Sequence, residues 1–150
     1  MISAVFDTNI YLQAILSETG PASACVEELF AGRIEVLVHP EILAEIDDFL
    51  LRPRVRSKYG QVRSVRTVDL VRKISKYGRW VPSVESVVKL DRDPSDSIFL
   101  NLAITYDVDY LVSRDNDLLQ LSEGKTLEIN YPNLKIVAPY RFLQAVRSGS

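Results

Sequence analysis

The chain has 150 residues, of which 47% are hydrophobic, a mean hydropathy of +0.02 and a formal charge of −2, which suits one compact domain and excludes a disordered chain. No apolar run approaches the roughly 18 residues of a membrane span, and Met1-Ile2-Ser3-Ala4-Val5 enters Phe6-Asp7 without a charged leader or cleavage site, so a cytoplasmic protein with no membrane partner is expected. The single cysteine, Cys25, excludes an internal disulfide and any thiolate cluster, and inside a helical pattern it reads as a small packing residue.

In chain order, Ile2 to Phe6 reads as a short buried strand closed by Asp7-Thr8-Asn9, and a helix runs from Ile10 to Leu16. A turn at Ser17 to Gly20 leads to a second helix from Pro21 to about Ala31, with Cys25, Val26, Leu29 and Phe30 on its apolar side and Gly32 as its stop. Glu35 to Val38 is the next strand. Pro40 opens a helix that Arg52-Pro53 ends near Leu51, and the following basic segment predicts one short and one longer helix, the latter near Ser64 to Tyr77 with Gly78 as its cap. Trp80 to Leu90 has extended character without clean alternation and reads as a connection with one short strand. Asp93-Pro94-Ser95-Asp96 launches a helix through Tyr106, Tyr110 to Val112 is a buried strand, and Asp115 to Leu121 a short helix. Leu134 to Val137 gives a last strand and Pro139 to Val146 a final helix. Short apolar strands alternating with helices imply a mostly parallel sheet covered on both faces, a three-layer α/β/α sandwich.

Charge is unevenly placed. Between Arg52 and Arg79 stand ten basic residues and one acid, Asp69, for a net +9, which leaves −11 on the rest of the chain. Tyr59, Tyr77 and Trp80 are interleaved there, and rings that stack on unpaired bases beside cations that meet phosphates point to a polyanion. A solvated helix pair kept soluble by its charges explains the same composition.

Four acids, Asp7, Glu45, Asp96 and Asp115, stand where apolar runs end or beside an apolar helical stripe. In parallel α/β sheets ligands bind at the carboxyl ends of the strands. Asp7 directly follows the first strand, and Asp115 follows the Tyr110 strand after Ser113 and Arg114, whereas Asp107 and Asp109 precede it and belong to the opposite edge. Glu45 lies closer than Glu41 or Asp48 to the stripe of Ile42, Leu43, Ile46, Phe49 and Leu50. Gathered carboxylates repel one another unless protonated or neutralised by a cation, and oxygen ligands suit Mg²⁺ or Mn²⁺ rather than zinc. Helix capping accounts equally well for Asp93-Pro94-Ser95-Asp96, for Asp115-Asn116-Asp117 and for Asp7 or Asn9 taken singly. His39, the only histidine, cannot make a zinc site alone and reads as structural, and the phosphate loops GxGxxG and GxxxxGK[ST] do not occur.

The segments Val5-Phe6-Asp7-Thr8-Asn9, Pro40-Glu41-Ile42-Leu43-Ala44-Glu45, Asp93-Pro94-Ser95-Asp96 and Tyr110-Leu111-Val112-Ser113-Arg114-Asp115-Asn116-Asp117-Leu118 together resemble a PIN domain. More closely, they resemble the toxin PIN proteins of prokaryotic toxin–antitoxin systems, relatives of the VapC ribonucleases. Leu50-Leu51-Arg52-Pro53-Arg54-Val55 and Ile136-Val137-Ala138-Pro139-Tyr140-Arg141-Phe142-Leu143 agree as well, so the likeness spans roughly residues 2 to 147. The resemblance implies a Rossmann-like sheet in one nuclease domain over 1–147 with 148–150 as a tail. It implies an endoribonuclease dependent on Mg²⁺ or Mn²⁺, a homodimer, and a small antitoxin protein as partner. Asp7, Glu45, Asp96 and Asp115 match the family's catalytic, metal-holding quartet, with Asn9, Asp93, Ser113 and Asp117 in support and Arg52, Arg54, Arg56, Lys58 and Arg114 toward RNA. Two positions depart from the pattern: His39 replaces a small polar residue, and Arg114 stands where glycine is frequent. Arg114 either pairs with the acids or contacts a phosphate. A PIN-like module that holds RNA or protein without turnover remains an alternative. A phosphatase of the haloacid-dehalogenase type also begins with a strand and an Asp, but needs a second Asp where this chain has Asn9.

Overall fold

The computed structural model describes residues 1–82, 94–121 and 125–149, and the side chains among them other than 56, 58–64, 94–97 and 125–126. Its elements are β1 (Ile2–Phe6), α1 (Thr8–Leu16), α2 (Pro21–Phe30), β2 (Ile34–Val38), α3 (Pro40–Leu51), α4 (Pro53–Tyr77), β3 (Arg79–Trp80), α5 (Pro94–Thr105), β4 (Tyr110–Val112), α6 (Asn116–Leu121), α7 (Lys125–Asn130), β5 (Lys135–Val137) and α8 (Pro139–Arg147). The five strands form one sheet in the order β3-β2-β1-β4-β5, every pair parallel, in the middle layer of an α/β/α sandwich. Ala4, Val5 and Phe6 pair with Tyr110, Leu111 and Val112 on one side, and Val5 faces Leu37 on the other. The order reverses between β1 and β4, where a crevice opens at the carboxyl ends of the strands.

The core follows from this layering. Val5, Phe6, Val36, Leu37, Leu111 and Val112 are buried, as strands covered on both faces require. The Phe6 ring meets Tyr11 of α1 and the edge of Phe142 of α8, and Tyr110 packs edge-on against the same Phe142 at 5.4 Å. α5 lies against β1 and β4, and α8 against α2 and β4. Cys25 is buried beneath α8 with its S–H toward the Pro139 carbonyl. Burial, then the nearby Glu28 charge, push its thiol up to about 12 against the opposing pull of Arg147, so it packs and does not react.

Two expectations change. The basic segment is one continuous helix of 25 residues, not a short helix followed by a longer one. Pro53 occupies its first turn, where no donor is lost, and Gly60 costs an interior turn only about 1 kcal/mol. Tertiary anchors outweigh that cost: Arg66 donates to the Ala14 carbonyl at the end of α1 and pairs with Glu18 at 2.6 Å, while Phe30 of α2 meets Tyr77 and the Lys73 ammonium. The second change is α7, which the sequence reading left without an element. Thr126-Leu127-Glu128-Ile129 alternates polar and apolar residues as a strand does, and six residues are too few to display a helical period. The extended reading of Trp80 to Leu90 is met by Arg79–Trp80 alone, and 83–90 lie outside the described residues.

Gly78 ends α4 at a close approach to the sheet. A Cβ there would run into the Val38 side chain and stand 2.8 Å from the Ile74 carbonyl, so only glycine lets the helix end deliver Arg79 into register with Leu37. At the opposite edge Asp109 accepts from the Ser3 amide and hydroxyl and donates its own N–H to the Ser3 carbonyl, fastening the entries of β4 and β1. That is a structural duty, in keeping with the reading that set Asp107 and Asp109 aside.

Candidate active site

Asp7 emerges from β1 into the crevice and caps α1. Its backbone N–H donates to the Val112 carbonyl at 3.1 Å, the last rung between β1 and β4, and its Oδ1 accepts from the Ile10 N–H at 3.2 Å. Across the switch point, Ser113 follows β4 fully buried and donates its hydroxyl to Asp7 Oδ2. The same hydroxyl oxygen accepts the Asp115 N–H at 2.9 Å, and Asp115 Oδ1 in turn accepts the Asp117 N–H at 2.8 Å at the start of α6. Capping and convergence are therefore compatible: one oxygen of each aspartate serves a helix start while the chain of bonds joins both around Ser113.

Asp7 is only 2% exposed. Burial raises its carboxyl to about 6, and Asp115 adds repulsion, against the lowering from Ser113, Ile10 and Asn9. A buried carboxylate beside a second one is short of positive charge, and the ligand atoms the two side chains present are carboxylate oxygens, which fits a hard divalent cation. Asp7 and Asp115 would hold such an ion. Among the described residues, however, no three of His, Cys, Asp and Glu are grouped so as to hold one by themselves.

Glu45 comes from the second turn of α3 and is half-buried. Its Oε2 accepts from Thr8 Oγ1 at 2.6 Å, so the residue after Asp7 fixes the glutamate from 37 positions away. Neither Thr8 nor Tyr11 was singled out from sequence. Tyr11 is fully buried, its hydroxyl has no hydrogen-bond partner among the described residues, and burial together with the Asp7 charge pushes its pKa up. Thr8 had one sequence signal, its place beside Asp7 at the strand end, but no local pattern reveals a partner on another helix.

The remaining candidates divide. Asp96 is the third residue of α5, a helix that packs on β1 and β4. The side chains of Asp96, Arg56 and Lys58, and all of Asp93, lie outside the described residues. Asn9 is exposed in the first turn of α1, and Asp117 is exposed in that of α6. His39 caps α3, its Nδ1 accepting from the Glu41 N–H at 3.2 Å. Arg114 is exposed beside Asp115 and has no ion-pair partner among the described residues. Arg52 lies over the Phe49 ring and 3.9 Å from Asp48, about 10 Å along the helix from Glu45 by helical rise. Arg54 is exposed near the same corner.

A sheet of this order with acids and a buried hydroxyl at its switch point defines the class, and comparison with known proteins agrees. The family described as PIN domain matches residues 3–117, and the chain belongs to it. That family is generally one of nuclease-type hydrolases that use divalent metal ions. An uncharacterized protein of Methanocaldococcus jannaschii is 27% identical over 145 residues, covering 95% of this chain and 90% of its own length. Among the described residues no helix is long and apolar enough to cross a membrane.

Proposed function

We propose that the protein is an endoribonuclease that hydrolyses RNA phosphodiester bonds with Mg²⁺ or Mn²⁺, and that it is the toxin of a toxin–antitoxin pair, working as a homodimer in the cytoplasm and restrained by a small antitoxin protein. The observation that carries the chemistry is the bridge from Asp7 through Ser113 to Asp115 at the switch point of a PIN-family sheet.

In this reading Asp7, Glu45, Asp96 and Asp115 would hold the cation, which when bound would supply positive charge for the anionic cluster, the phosphoryl group and an attacking water. The protein's own work is positional. Ser113 and the Ile10 N–H fix the two Asp7 oxygens, and Thr8 fixes Glu45. Asn9 and Asp117 lie in the first turns of α1 and α6, and together with Asp93 they serve as supporting polar groups. Arg114, exposed beside Asp115, meets a phosphate of the bound strand. Arg52, Arg54, Arg56 and Lys58 attract RNA from the α3–α4 corner. Residues 1–147 form the nuclease domain.

Cleavage of a labelled RNA with Mn²⁺ tests the reading. Wild type should yield 5′-phosphate and 3′-hydroxyl ends, stop with EDTA, and lose activity as Asp7→Ala or Asp96→Asn; activity that survives those changes refutes it. One observation favours a module that binds without turnover: the described residues bring only Asp7 and Asp115 into direct partnership. RNA retention that is indifferent to EDTA, with no cleavage, would select that alternative.

A further inference from the structure

We propose that the open edge of β5 is a docking slot for an extended, acid-flanked apolar segment of a partner protein, which joins the sheet as a sixth strand. This stands apart from the nuclease reading and uses none of its residues.

Among the described residues β5 ends the strand order and pairs only with β4. The Lys135 N–H donates to the Asp109 carbonyl at 3.1 Å and the Val137 carbonyl accepts from the Ser113 N–H at 3.0 Å. The alternation of a parallel ladder therefore turns the N–H and C=O of Ile136 away from β4. They face a groove of about 870 Å³ whose floor is β5 itself. One wall carries Leu119 and Leu127 from α6 and α7; the other carries Ala145 and Arg141 from α8. An edge strand at the bottom of a slot between two helical walls leaves outward backbone groups to be met, and an extended peptide backbone offers donors and acceptors at the matching spacing. Nucleic acid offers no such ladder.

Charge selects the kind of segment. Lys135 stands at the start of β5 and Arg141 just beyond its end; both are exposed and, among the described residues, without an ion-pair partner. Among the described residues Glu128 is the one acid that lines the groove. An occupant with apolar residues against both walls and an acid at each end satisfies these groups. A second copy pairing edge to edge would instead bring its own Lys135 and Arg141 against the same cations.

Selection of displayed random dodecapeptides on the intact chain, followed by binding of the synthetic consensus, tests this. Enriched peptides should carry an apolar run of about five residues flanked by Asp or Glu, and the bound peptide should slow amide exchange at Ile136. Lys135→Glu with Arg141→Glu should weaken binding about tenfold with the circular dichroism unchanged. No enrichment, or peptides that tolerate the charge reversal or leave Ile136 exchange unaltered, would overturn the proposal. So would light scattering showing that Ile136 is protected by a dimer of this chain. If the double variant misfolds, Ile136 exchange in the wild type still decides. None of these readings involves metal or RNA cleavage, so failure here leaves the nuclease test untouched.

Discussion

At Asp7 the fold keeps a carboxyl whose charge it disfavours, and the sign of the consequence can be worked out. The unfolded group titrates near 3.8 and the folded one near 6. Between those values the unfolded chain releases its proton while the native one retains it, so stability falls as pH rises through that window and stays lower above it. The deficit is about 3 kcal/mol. Asp7→Asn preserves an acceptor for Ile10 and should raise the denaturation free energy of metal-free protein by up to about 3 kcal/mol at pH 8, with almost no gain near pH 3.5; equal effects at both pH values would contradict the burial argument. Added Mn²⁺ should narrow the gap from the wild-type side only. Ser113→Ala removes a donor to Asp7 and an acceptor for Asp115 at once, and should raise the Mn²⁺ Kd about tenfold by calorimetry; unaltered affinity would reduce Ser113 to a scaffold residue. Strand-end position made Asp7 and Asp115 stand out as candidates in the sequence, whereas Ser113 entered only through the family resemblance. Thr8 did not stand out, because a hydroxyl's partner on a distant helix leaves no periodic trace, and Tyr11 did not, because its place beside Asp7 comes from packing.

Elements were readable in proportion to how strongly their faces differ. β1, β2, α2 and α3 show a burial pattern within the element, so their limits fall within two residues of the expected ones. α4 is polar over most of its length, and its continuity comes from Arg66, Lys73 and Tyr77 meeting other helices, which no window of sequence contains. Its end is set by one contact. Gly78→Ala should cost about 1–3 kcal/mol through the collision with Val38, and Val38→Ala in the same chain should recover part of it. Strictly additive losses in the double variant, read by urea denaturation, would show that the two positions do not touch.

On the scale of the whole molecule, the three-layer sandwich and its parallel sheet followed from alternating short apolar strands and helices, and the separation of +9 from −11 was plain in the composition. The use of that charge was not plain. Arg66 is engaged with Glu18 and Ala14, Lys73 with Asp69 and Arg79 with Glu35, whereas Arg54 has no ion-pair partner among the described residues. Binding of single-stranded RNA to Asp7→Asn should therefore weaken with salt, and Arg54→Ala should lower the log–log slope by about 0.7. Arg66→Ala should leave the slope alone and lower Tm instead; the reverse assignment would mean that the internal pairs break on binding.

The bond from Ser113 to Asp7 joins positions 106 apart in the chain. During synthesis the first strand leaves the ribosome long before the fourth, and until the later half has emerged and closed beside it, Asp7 has neither its hydroxyl partner nor its acidic neighbour. A nascent or truncated polypeptide ending before Ser113 thus lacks the bonded arrangement around Asp7, which closes in a single late step.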